Sequence, residues 1–135
     1  MSMQLVDKSL QQTKALPNGA ATISSDGFQI HDGPIGGSFQ ANVEFVVTIP
    51  ALTVTELADT QTITYTIEHD DASNFGSAAA ISTSVVQTGA GGAGAAATSL
   101  RLRPNTAVKK YVRAKAVKTG ASNASTSSLT FEVRA

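Results

Sequence analysis

The chain has 135 residues, with ten acidic and ten basic side chains, five Phe, two Tyr and no Cys or Trp. A domain of this length buries about 65–70% of the surface its unfolded chain exposes, so one core is expected; balanced charge argues against a generally basic nucleic-acid binder and against a long disordered chain, and zero net charge favours association. Without Cys there are no disulfides, thiolate metal sites or Cys nucleophiles, and no apolar run approaches the ~18–20 residues that span a bilayer.

Residues 1–19 begin without the basic and then apolar segments of a secretory leader, so the protein is expected to act where it is made. Leu5, Val6, Leu10 and Leu16 are scattered among polar residues, and Leu16-Pro17-Asn18-Gly19 is a turn signal. This region is expected to be an arm, with residues 20–135 forming a single sandwich domain. Residues 20–30 suggest a short strand pair or one bulged strand broken at Asp26-Gly27, followed by a glycine-rich loop at 31–37. Residues 39–49 alternate, with Phe39, Ala41, Val43, Phe45, Val47 and Ile49 on one face, and Pro50 ends the strand. Residues 51–60 connect, crossing between sheets. Residues 61–69 are the clearest strand, with Ile63, Tyr65 and Ile67 inward and Thr62, Thr64, Thr66 and Glu68 outward.

Asp70-Asp71-Ala72-Ser73-Asn74 is a turn cluster, and Phe75 is expected to fold back over the core edge. A strand near 80–87 precedes the low-complexity run 89–97. Residues 98–103 alternate with Leu100 and Leu102 inward and Arg101 and Arg103 outward. Residues 109–118 place Val112, Ala114 and Ala116 against Arg113 and Lys115, and Leu129, Phe131 and Val133 mark a last strand at 127–134. Short strands at this spacing, without a helical pattern of ten residues, predict an all-β fold: an antiparallel two-sheet β-sandwich of jelly-roll or immunoglobulin-like type.

Candidate chemistry is sparse. Gly89-Ala90-Gly91-Gly92-Ala93-Gly94 matches a dinucleotide-binding glycine pattern, but Pro104 would stop a following helix and no acid occurs between Asp71 and Glu132, so a flexible or closely packed loop is expected instead. His31-Asp32 and Glu68-His69-Asp70-Asp71 could form a metal site only if the two segments met; the plainer reading is a strand end running into an Asp-rich turn, with no metal. No nucleophile elbow occurs, and Glu44 and Glu68 lie on outward faces rather than in a cleft. Charge is unevenly spread, with residues 1–71 at −7 and residues 72–135 at +7. Outward Arg101, Arg103, Arg113 and Lys115 could form a nucleic-acid patch, pair with acidic strands of their own sheet, or face another subunit; the first lacks stacking aromatics.

The Leu16-Pro17-Asn18 lead-in, the strand 61–69 running into Glu68-His69-Asp70-Asp71-Ala72-Ser73-Asn74-Phe75, the Gly-Ala loop at 89–97, and Lys110-Tyr111-Val112-Arg113-Ala114-Lys115-Ala116 occur in an order that resembles the small capsid cement proteins of tailed bacteriophages. The resemblance spans roughly residues 10–135. It implies a jelly roll, no catalysis and no cofactor. It also implies a place on the outer surface of the virion capsid, after synthesis in the host cytoplasm, with the major capsid protein as partner. A homodimer is favoured, a trimer next, and neither nucleic acid nor membrane is a partner. A carbohydrate-binding or adhesin-like sandwich is the alternative, although such modules usually present Trp or Tyr platforms. For a cement protein the candidate contacts are Leu5, Val6, Leu10 and Leu16 on the arm, Gly91 and Gly92 in the loop, and Arg101, Arg113 and Lys115 on a sheet face.

Overall fold

The structure, a computed structural model, describes residues 11–30, 44–104 and 108–134. Every regular element among the described residues is a strand: β1 (Gln11–Ala15), β2 (Ala21–Ser24), β3 (Phe28–Gln29), β4 (Glu44–Ile49), β5 (Thr62–Asp70), β6 (Ala79–Ala80), β7 (Val85–Thr88), β8 (Thr98–Leu102), β9 (Tyr111–Lys118) and β10 (Ser128–Arg134). They form two antiparallel sheets. Sheet one runs β1-β10-β4-β8; sheet two runs β2-β9-β5-β6, with β3 sharing the β2 lane along β9 and β7 sharing the β6 lane along β5.

The pairing is nested. β1 pairs β10, β2 and β3 pair β9, β4 pairs β8, and β5 pairs β6 and β7, each pair lying inside the previous one in sequence. The chain is a long antiparallel ribbon, doubled between β5 and β6, whose successive pairs alternate between sheets. The β2–β3 break is a one-residue bulge: Ser24 faces Lys115 and Phe28 faces Val112, so three residues oppose two.

Alternation explains the core. Phe45, Val47 and Ile49, Ile63, Tyr65 and Ile67, Val112, Ala114 and Ala116, and Leu129, Phe131 and Val133 all point inward and are buried, with Leu100 from β8. Large residues sit beside small ones across the β5–β9 register, Tyr65 beside Ala116 and Ile67 beside Ala114, which leaves room for the Phe28, Phe131 and Phe45 rings. The Tyr65 hydroxyl donates to Gln87 Oε1 at 2.6 Å, and burial pushes its pKa far up.

Three details depart from the sequence pattern. Residues 11–15, expected within the arm, are an edge strand on β10, and Leu16 is a core residue at 2% exposure. The sandwich therefore includes residues 11–19 rather than starting at 20; backbone pairing recruits Gln11–Ala15 without any apolar pattern of its own. Val46 faces outward by parity yet is buried: its register neighbours are Glu132 and Arg101, whose aliphatic stems flank it. Phe75 does fold back, but outside the core cluster. It packs on the outer face of sheet two against Tyr111 and Arg113. Residues 39–43, expected to open the β4 strand, and the loop at 31–37 lie outside the described residues.

Two glutamines bridge between the sheets on opposite flanks. Gln12 on β1 donates to the Gly27 carbonyl at 2.8 Å and accepts from its N–H at 3.0 Å, just before β3. Gln87 on β7 donates to the carbonyls of Pro50 (2.9 Å) and Ala96 (3.1 Å), beside β4 and β8. Each amide does what a further strand's peptide group would do, joining sheet edges that face one another.

Candidate functional site

The Gly-Ala loop is ordered and tied to its own chain. Gly91 and Gly92 take φ of +63° and +67°, and Ala93 N–H closes the turn on the Ala90 carbonyl at 3.1 Å, a conformation that favours glycine. A Cβ at Gly89 would overlap the Ala58 carbonyl and one at Gly94 the Leu52 carbonyl, so both glycines are needed for the loop to lie against the β4–β5 crossing. Leu52 and Ala95 exchange backbone hydrogen bonds there, and Gly92 N–H donates to Asp59 at 2.9 Å. The loop carries the chain from β7 of sheet two to β8 of sheet one, so a strand follows it where a dinucleotide-binding turn opens a helix, and the loop is closely packed. Gly91 and Gly92 remain exposed at its tip.

The outward bases behave differently on the two sheets. Arg113 Nε lies 2.9 Å from Glu68 Oε1, Lys115 Nζ lies 3.5 Å from Glu68 Oε2, and the Phe75 ring stacks 4.4 Å from the Arg113 guanidinium. These two bases, expected as contacts on a free face, are engaged by their own sheet, because the register places Glu68 directly beside Arg113. On sheet one, Arg101 and Arg103 approach the single carboxylate of Glu44 at 3.5 and 3.8 Å. The structure thus brings together Arg101 with Arg103, and Arg113 with Lys115, but puts the two groups on opposite sides of the molecule. Leu16, buried, is withdrawn as a contact residue. Leu5, Val6 and Leu10 lie outside the described residues.

The His and Asp residues make a turn. Asp70 accepts from the N–H groups of Ser77 (2.7 Å), Asp71 (2.6 Å) and Ala72 (3.3 Å); these bonds, led by Ser77, hold its carboxyl below its usual pKa. His69 Nδ1 accepts the Lys109 N–H at 3.1 Å, which places any ring proton of the neutral form on Nε2; burial, then the Lys109 charge, lower its pKa. Asp71 Oδ1 is shielded and has no hydrogen-bond partner. Among the described residues no group of three or more His, Asp or Glu side chains could hold a metal; His31 and Asp32 lie outside them.

Sequence reasoning missed a polar knot at the end of the sandwich where the β4–β5 crossing meets the β9–β10 loop. Glu56 accepts from Thr53 N–H (3.0 Å), Thr126 Oγ1 (2.8 Å) and Ser127 Oγ. Burial alone would raise its pKa, but these donors together lower it. Lys118 Nζ donates to Gln61 Oε1 and to the carbonyls of Thr119 and Gly120 at 3.1–3.2 Å, and burial lowers its pKa. Ser122 Oγ reaches both the Glu56 carbonyl (2.9 Å) and Gln61 Oε1, and its one proton serves one of them at a time. Two signals were present: Thr53-x-x-Glu56 is a capping-box pattern, and parity along residues 112–118 puts Lys118 on the inner face. The knot fixes loops; its charged groups are satisfied and make no cleft.

Neither tyrosine offers a flat exposed ring: Tyr65 is in the core, and half-buried Tyr111 meets Phe75 edge-on with centroids 6.5 Å apart. No protein-family model and no curated protein matches this chain.

Proposed function

We propose that this protein is a capsid cement protein: a non-catalytic structural subunit, acting without a cofactor, that binds the outside of a tailed-phage head and ties neighbouring major-capsid subunits together. The observation that carries this reading is the nested strand order. Counting β2 with β3 and β6 with β7 as single lanes, eight lanes run 1-8-3-6 in one sheet and 2-7-4-5 in the other, an order that favours a jelly roll, one antiparallel ribbon rolled up, over an immunoglobulin-like sandwich. A jelly roll is the fold the sequence resemblance implies, and this strand order supports it.

The reading also fits the surface. Among the described residues, Gly89 and Gly94 serve packing, His69 accepts a backbone N–H, and the buried charges are internally hydrogen-bonded, which leaves outer sheet face and loop tip for partners. Many weak contacts repeated over a lattice bind by avidity. Self-association, a dimer first, would multiply them. The test is co-sedimentation with heads that lack the protein, followed by heating. Bound protein should raise the temperature at which heads release their contents; purified protein that neither co-sediments nor protects would overturn the reading. Because Gln11–Ala15 form a strand, the arm is tested by deleting residues 2–9 only. Weakened decoration by a normally folded variant would assign the grip to Leu5 and Val6; full decoration would assign it to a sheet face.

A further inference from the structure

One end of the outer face of sheet one carries three arginines around two carboxylates. Arg101 projects from β8 and Arg103 from the position just after it, Arg134 projects from β10, and Glu44 lies between them on β4, where the register sets Arg134 beside it. Their side chains are 55%, 82% and 46% exposed, against 23% and 34% for Arg113 and Lys115 on the other sheet. Arg134 Nη2 has a close partner, Glu132 at 2.7 Å, but Arg101 and Arg103 share Glu44 at distances longer than a strong charge-assisted bond. Each guanidinium has five N–H donors in a planar fork, and the described carboxylates take up only a few of the fifteen or so.

We infer that this arginine triangle is a docking face for carboxylates on the surface of a partner protein; taking that partner to be the capsid rests on the function proposed above. The spacing follows from strand geometry. Arg101 and Arg103 are about 7 Å apart along β8, and Arg103 and Arg134 about 10 Å apart across two lanes. Acidic residues at alternate positions of an extended strand repeat at the same ~7 Å, so two of them can meet Arg101 and Arg103 in register. Arg101 and Arg134 stand on paired strands and Arg103 directly follows one, so binding mainly orders side chains. A nucleic acid fits worse: no described aromatic ring lies on this face to stack a base, and an unbroken line of phosphates would also meet Glu44 and Glu132, whereas sparse carboxylates avoid them.

The probe is an eight-residue peptide of alternating Glu and Thr, added to the full chain at low ionic strength and followed by amide NMR shifts. Shifts should concentrate in β4, β8 and the end of β10. Arg101→Gln, Arg103→Gln and Arg134→Gln together should weaken binding at least tenfold, while the charge-matched Lys14→Gln, Lys109→Gln and Lys110→Gln set should change it less than twofold. Unaltered circular dichroism and melting of both sets show that folding is not the cause. No binding, shifts centred elsewhere, equal weakening by both sets, or tighter binding of a DNA duplex at the same residues would overturn the inference. A parallel arm measures co-sedimentation with heads. If the peptide maps to the triangle but wild type ignores heads, the capsid reading fails and the acidic docking face stands. If heads bind the triple variant as well as wild type, the capsid reading stands and the triangle is not its grip.

Discussion

The two outer faces follow one alternation rule and end in opposite electrostatic states. On sheet two, Glu68 takes both Arg113 and Lys115, and the β5–β6 turn sends Phe75 back over the guanidinium. On sheet one, no described ring stacks on Arg101 or Arg103, and the two divide one carboxylate. Outward placement of a base therefore does not make it available to a partner; what decides is the residue across the register and the next loop's landing place.

The largest effect that separates the faces should come from Phe75→Ala. Removing a nearly buried ring is expected to cost about 3 kcal/mol, the low end for such truncations, because the ring covers a sheet face rather than filling the core. An unfolding free energy from urea titration lowered by less than a third of that would mean the cover contributes little. Next, Glu68→Ala should cost about 2 kcal/mol, less than a fully buried pair because both bases are part-exposed, and Glu44→Ala under about 0.5 kcal/mol. Equal losses in the two variants would erase the distinction.

Acid should act first at the sheet-two end. The folded pKa of His69 lies below its ordinary 6.5, so the unfolded chain binds more protons, and this contribution to stability is present above pH 6.5 and is lost as pH falls from there through the lower folded pKa. A protonated Nδ1 would also turn a proton toward the Lys109 N–H it now accepts from. Denaturation from pH 7.5 to 5.5 should show a loss that His69→Gln removes; an unchanged profile in that variant would locate the titration elsewhere. Asp70 and Glu56, with lowered pKa values, keep their contributions until lower pH. The smallest effect is expected for Arg101→Gln or Arg103→Gln alone, within about 0.5 kcal/mol of wild type, measured by the same urea titration; a larger loss would mean that sheet one also depends on its charges.

The strands legible in the sequence were those buried on one face and wet on the other. β4, β5, β9 and β10 each carry three inward apolar residues at period 2, and the bulge announced itself at Asp26-Gly27. β1 was illegible because Gln11–Ala15 has no apolar alternation; it is recruited by hydrogen bonds from β10 and anchored by Leu16, the next residue. The surface chemistry was harder to read still. Whether Arg113 is free depends on Glu68, 45 residues away, and whether Gly94 is flexible depends on the Leu52 carbonyl beneath it. Gln12 and Gln87 look like ordinary surface glutamines until the two sheets are brought face to face.

Nested pairing also sets an order of assembly. The innermost pair, β5 with β6, closes a loop of only nine residues between His69 and Ala79, whereas Gln11 meets Glu132 only across nearly the whole described chain. Loop closure grows costlier with length, but each inner pair already formed shortens the loop that the next must close. Folding is thus expected to propagate from the ribbon's bend outward, slowly for its size because so many contacts are distant in sequence. β1 would join after the rate-limiting step, so truncating Thr13 or Lys14 should speed unfolding and leave the folding rate unchanged.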